Sequence, residues 1–129
     1  MADVNRGNRP LSPFMFGKYY RFQLTAVSSM TVRITGNALI VACVLVVWWL
    51  LAAATSPEYF EFVDWLIRSW VGDLVMIGSV WALWYHMGGG IRHLIWDAGY
   101  LLDVKRSEYM GWAMFGGATV LTILTALIV

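Results

Sequence analysis

Charge is scarce in this chain of 129 residues. Asp, Glu, Lys and Arg together make up 13% of it, against roughly a quarter in an ordinary soluble domain. Nine basic and eight acidic side chains cannot cover the water-facing surface of a soluble fold when 60% of the residues are hydrophobic and eight are Trp. The low polarity equally excludes a disordered tail. A formal net charge of +1 provides no basic field for a nucleic-acid partner. Cys43, the sole cysteine, lies inside an apolar run. It supports neither a disulfide framework nor an iron–sulfur cluster, and its default role is to fill space. The sequence also lacks a Gly-rich phosphate loop and a nucleophile triad. Nothing in it oxidises a soluble substrate unaided, and what remains is a small integral membrane protein.

Three long apolar runs are present. Residues 34–57 carry no charge, residues 74–91 hold only the titratable His86, and residues 109–129 are again uncharged. Each is near the roughly 20 residues that cross about 30 Å of hydrocarbon as a helix. No alternation of period two suggests a barrel. The sequence predicts an all-α membrane protein with three transmembrane helices after an N-terminal interfacial segment. Its expected segments are 1–29 at the inner interface, a first span at 30–56, an outer loop at 57–65, a second span at 66–93, an inner loop at 94–106 and a third span at 107–129. No internal repeat is visible.

Lys and Arg accumulate on the cytoplasmic side of membrane proteins. Arg6, Arg9, Lys18, Arg21 and Arg33 lie in or at the end of the segment before the first run. Arg68 alone opposes Glu58, Glu61, Asp64 and Asp73 in the first connection, and Arg92, Lys105 and Arg106 flank the second. The N-terminus is therefore expected in the cytoplasm and the C-terminus in the periplasm. The first run is too long and too far along the chain for a cleaved signal, and residues 1–9 make a poor mitochondrial presequence. The expected location is a bacterial inner membrane. Between positions 9 and 29, Phe14, Phe16, Tyr19, Tyr20 and Phe22 crowd beside Lys18 and Arg21. That mixture suits a headgroup anchor or a docking surface for a cytoplasmic partner.

An ionisable residue at membrane depth marks a candidate site. His86 is the clearest, followed by Gly88, Gly89 and Gly90. Those glycines either leave room for a flat macrocycle beside the imidazole or let a neighbouring helix approach closely. His93 follows seven residues later, about 10 Å along a helix axis, so one straight helix cannot present both rings to one iron. The chain has only these two histidines. A haem with two histidine ligands would need the second from another polypeptide. Arg33, Arg92 and His93 gather at the inner ends of the first two spans, where they can neutralise haem propionates or snorkel as anchors. Asp97 stands four residues after His93 and can pair with it. Ser29 and Arg33 are also four apart on one face, placed either to donate hydrogen bonds to a quinone oxygen or to cap and anchor the helix.

The run from His86 through Gly88-Gly89-Gly90, Arg92-His93 and Trp96-Asp97 to Gly99 resembles the signature of the cytochrome b anchor subunit of succinate dehydrogenase, or Complex II. A second block agrees: Arg9-Pro10-Leu11-Ser12-Pro13, then Ser29 followed by Arg33-Ile34-Thr35-Gly36. The resemblance covers nearly the whole chain. It implies a subunit of a succinate:ubiquinone oxidoreductase that holds haem b through His86, with the other axial ligand supplied by a second small anchor subunit. It further implies ubiquinone contacts at Ser29 and Arg33, propionate contacts at Arg33 and His93, and assembly with a flavoprotein and an iron–sulfur subunit. Val32 departs from the family's usual His, and the spacing from Arg9 to Ser29 is about two residues long. A quinol:fumarate reductase anchor working in reverse, or a haem-free structural or transport subunit, are the competing readings.

Overall fold

The computed structural model describes residues 22–129. The aromatic-basic stretch before Phe22 and the block at 9–13 lie outside the described residues. Among those described, four helices follow one another with no strand: α1 (Leu24–Thr55), α2 (Pro57–Ile67), α3 (Trp70–Asp97) and α4 (Val104–Ile128). Helices α1, α3 and α4 are long and apolar enough to cross a membrane. At 32 residues α1 extends about 48 Å, well beyond the apolar core of a bilayer. Its start at Leu24 places Ser29 and Arg33 in the second and third turns of the helix.

One residue ends α1 and begins α2. Ser56 is extended (φ −158°), and its Oγ accepts a hydrogen bond from Tyr59 N at 3.2 Å. Pro57 has no N–H to continue α1 but suits the first position of a new helix. The stretch expected as a loop at 57–65 is thus wholly helical, α2 also takes the first two residues of the expected second span, and that span begins only at Trp70. Helix α2 folds back on α1, where Trp49 Nε1 donates to Asp64 Oδ1 at 3.1 Å and Trp48 Nε1 donates to Tyr59 Oη at 2.6 Å. Val63 is buried against α1 and Asp64 also pairs with Arg68 at 3.0 Å. The acidic residues of this segment read as a solvated connection, whereas partnered indoles and a short apolar face make it an ordered helix.

Ser69 caps α3 by accepting from Gly72 N at 3.2 Å, and Asp103 caps α4 by accepting from Arg106 N at 3.0 Å. The far end of α3 closes with Gly99 at φ +82°, a left-handed turn that glycine adopts without Cβ strain. Tyr100 N donates to Ile95 O at 3.1 Å and Gly99 N to Trp96 O at 2.8 Å, so two terminal carbonyls of the helix are satisfied.

Helices α3 and α4 pack through Tyr85, Met114 and Ala118, with Phe115 4.7 Å from the Tyr85 ring. Two indole N–H groups tie them: Trp81 to Thr119 Oγ1 and Trp84 to Thr125 Oγ1, both at 3.1 Å. Such bonds between membrane helices contribute about 0.6 kcal/mol each. Gly89 of α3 and Gly111 of α4 let α1 approach closely, since a Cβ at either would meet Val32 or Leu24 of α1. Most large apolar side chains point outward, as expected where the surrounding solvent is lipid or a neighbouring helix.

Candidate functional site

The α1–α3 crossing brings His86 to the second block of the sequence. Its Nδ1 lies 3.0 Å from Val32 O, one residue before Arg33. A carbonyl can only accept, so Nδ1 carries the proton of this bond. In the neutral ring Nε2 is left with its lone pair, and among the described residues it has no hydrogen-bond partner. That is the tautomer a metal-binding imidazole requires, oriented by a backbone carbonyl. The ring reaches this carbonyl because residue 36, one turn on, is glycine. A Cβ there would lie 2.9 Å from Cε1 of the imidazole.

Gly88, Gly89 and Gly90, expected to make room beside the ring, serve different surroundings. Gly89 is a close-packing position, since a Cβ would meet Val32 Cγ2 at 2.7 Å. Gly88 borders Met114 on α4, and Gly90 faces open space. Val32, noted as a departure, contributes its backbone carbonyl to His86 and its side chain to Gly89, and the carbonyl contact is independent of side-chain identity.

Ser29 is half-buried and Arg33 is exposed on α1. Among the described residues Arg33 has no hydrogen-bond or ion-pair partner, leaving its donors free to engage a ligand or neighbouring subunit. His93 is exposed on α3, edge-on to Trp96 at 5.4 Å between ring centroids. No hydrogen bond joins it to Asp97. Arg92 does not emerge at the surface. It is 2% exposed, its Nη1 donates to Ser28 Oγ at 2.6 Å, and its guanidinium carbon sits 4.7 Å from the Trp96 ring centre. Ser28 also accepts from Tyr85 Oη, 3.1 Å from Oγ.

The structure joins His86 to α1 at Val32 and Gly36, leaves Arg33 and His93 exposed and Ser29 half-buried, and turns Arg92 inside. Sequence reasoning missed Ser28, Tyr85, the Val32 carbonyl and Gly36. Only Gly36 carried a signal, as the last residue of the second block. Chemically, the ring keeps one imidazole nitrogen without a partner among the described residues, and α1 carries a hydroxyl at Ser29 and an exposed guanidinium at Arg33 one turn apart.

Residues 5–125 match the family model described as succinate dehydrogenase/fumarate reductase transmembrane subunit. The chain is 50% identical over 128 residues to the succinate dehydrogenase cytochrome b556 subunit of Paracoccus denitrificans, covering 99% of this chain and 97% of that protein. It is 33% identical to the corresponding subunit of Rickettsia conorii, covering 90% and 89% of the two chains. With the succinate dehydrogenase cytochrome b560 subunit of Reclinomonas americana the identity is 32%, over 94% and 86%. A nearly full-length match, on a chain with three helices long and apolar enough to cross a membrane, leaves one assignment: the chain belongs to the succinate dehydrogenase/fumarate reductase transmembrane-subunit family, as a cytochrome b membrane anchor of complex II.

Proposed function

We propose that this chain is the larger membrane anchor of a succinate:ubiquinone oxidoreductase in a bacterial inner membrane, with its N-terminus in the cytoplasm and its C-terminus in the periplasm. It holds a flavoprotein and an iron–sulfur subunit to the bilayer, pairs with a second small anchor, and forms part of the ubiquinone site. The observation that carries this reading is the His86–Val32 contact, which fixes the ring and leaves Nε2 free for iron. The fit is chemically sound: an oriented neutral imidazole, space secured by Gly36, and exposed cationic or hydrogen-bonding groups at Arg33 and His93 for propionates. A histidine of the partner anchor would supply the other ligand to the iron. Arg92, engaged by Ser28, serves these groups from behind rather than as a propionate contact.

When bound, haem b would supply a one-electron redox centre. This chain's own residues orient the substrate. The Ser29 hydroxyl donates a hydrogen bond to one oxygen of the quinone head group. The Arg33 guanidinium lies one turn away and stabilises the negative charge that develops there as electrons arrive from the iron–sulfur subunit. The isoprenoid tail enters from lipid along the apolar face of α1, which exposes Met30 and Ile34. The names of the relatives favour succinate oxidation over fumarate reduction.

The reduced-minus-oxidised absorption spectrum of the detergent-purified complex tests the reading. A b-type signal that disappears in His86→Ala while the subunits still co-purify is the expected result. A complex without such a signal, or a signal indifferent to His86→Ala, overturns it.

A further inference from the structure

Arg92 is a cation enclosed by its own chain. Among the described residues no carboxylate pairs with it, and its Nε is buried without a hydrogen-bond partner. A buried charge of this kind is costly in a membrane protein, and a well-packed apolar side chain would join the helices at lower cost. Its surroundings point to a use. Ser28 Oγ accepts from both Arg92 Nη1 at 2.6 Å and Tyr85 Oη at 3.1 Å, which occupies both lone pairs of the hydroxyl. The network ties α1 to α3 at two points of α3, Tyr85 and Arg92.

Each member stands one residue before a candidate site residue: Ser28 before Ser29, Tyr85 before His86, Arg92 before His93. Successive helical residues are separated by about 100° of rotation. Pinning the first residue of each pair therefore sets the azimuth of the second. Rotation of α1 that moved Ser29 and Arg33 away from His86 would break the bonds to Ser28.

We propose that Arg92 is the positioning residue of the quinone site, holding α1 in register through Ser28, and that its unneutralised charge favours the reduced state of a haem held by His86. This rests on the assignment of Ser29, Arg33 and His86 made above. Arg92 lies six residues, about 9 Å, beyond His86 along α3, and adding an electron that near a fixed positive charge in a low-dielectric surrounding is favoured, so a neutral side chain at position 92 removes that bias.

The test uses the intact complex carrying Arg92→Gln, Arg92→Lys or Ser28→Ala. Arg92→Gln is expected to keep the haem spectrum, lower the haem midpoint potential, and raise the quinone KM severalfold, because α1 loses its register and not because a contact to the quinone is lost. Arg92→Lys restores the potential but not the KM, because an ammonium retains the charge without the planar fork or the Trp96 stack. Ser28→Ala raises the KM and leaves the potential unchanged. Wild-type KM in Ser28→Ala overturns the positioning role, and wild-type potential in Arg92→Gln overturns the electrostatic one. Should Arg92→Gln fail to assemble, Ser28→Ala and Arg92→Lys still decide both points, since a potential in Arg92→Lys below that of the wild type also overturns the charge argument. Failure of the underlying assignment is separately visible, as a haem signal that survives His86→Ala.

Discussion

Gly36 of α1 and His86 of α3 are complementary in shape: the glycine leaves the volume into which the imidazole edge fits, with Cε1 2.9 Å from where a Cβ would stand. The same absence of a side chain exposes Val32 O, one helical turn earlier, to His86 Nδ1.

Substitution at this glycine tests whether the ring needs that space. Gly36→Ala is expected to displace the imidazole by a few tenths of an ångström, weakening the bond to Val32 and shifting the b-type absorption. Gly36→Val should reduce haem occupancy nearly as far as His86→Ala. Full occupancy of the purified Gly36→Val complex would show that the ligand does not depend on this cradle.

The exposed guanidinium of Arg33 is the strongest donor near the proposed quinone head group. Arg33→Ala is expected to lower succinate:ubiquinone activity by one to two orders of magnitude, from about 1.5–3 kcal/mol of charge-assisted hydrogen bonding. Ser29→Ala, with a neutral donor, should cost about tenfold at most. Succinate oxidation with a dye that takes electrons from the soluble subunits should persist in both variants, so ubiquinone turnover at wild-type rate in Arg33→Ala would remove the assigned role.

Gly99 ends α3 at φ +82°. Gly99→Ala places a Cβ in the left-handed region and should destabilise the protein by about 1–2 kcal/mol. Thermal unfolding of the detergent-solubilised complex reads this directly, and an unaltered midpoint would mean that the turn relaxes without strain.

The indole of Trp84 and the hydroxyl of Thr125 form one of the two α3–α4 ties. A double-mutant cycle with Trp84→Phe and Thr125→Val should return a coupling of about 0.6 kcal/mol, the usual worth of a bond between membrane helices. A coupling of zero would show that packing alone joins these helices.

Several features were legible before any coordinates. Uncharged runs near the length of a bilayer crossing announce helices, because only a helix satisfies its backbone within one segment in lipid. Regular helical spacing placed Ser29 and Arg33 on one face, and the isolated His86 stood out at membrane depth. By contrast α2 was hidden: its acidic residues read as a loop, and its stability comes from Trp48 and Trp49, a turn or more back on α1.

Which way Arg92 turns, which glycine serves His86 and which serine the network uses were decided by tertiary structure alone. In water an apolar stripe reveals the buried face of a helix. In lipid both the packed and the exposed faces are apolar, so that stripe disappears. Adjacent Ser28 and Ser29 look equivalent along the chain, and only the crossing of α1 with α3 and α4 makes one an inward anchor and the other a candidate contact for a ligand. Span number and the mid-membrane imidazole belong to the sequence, while inside and outside belong to the packing.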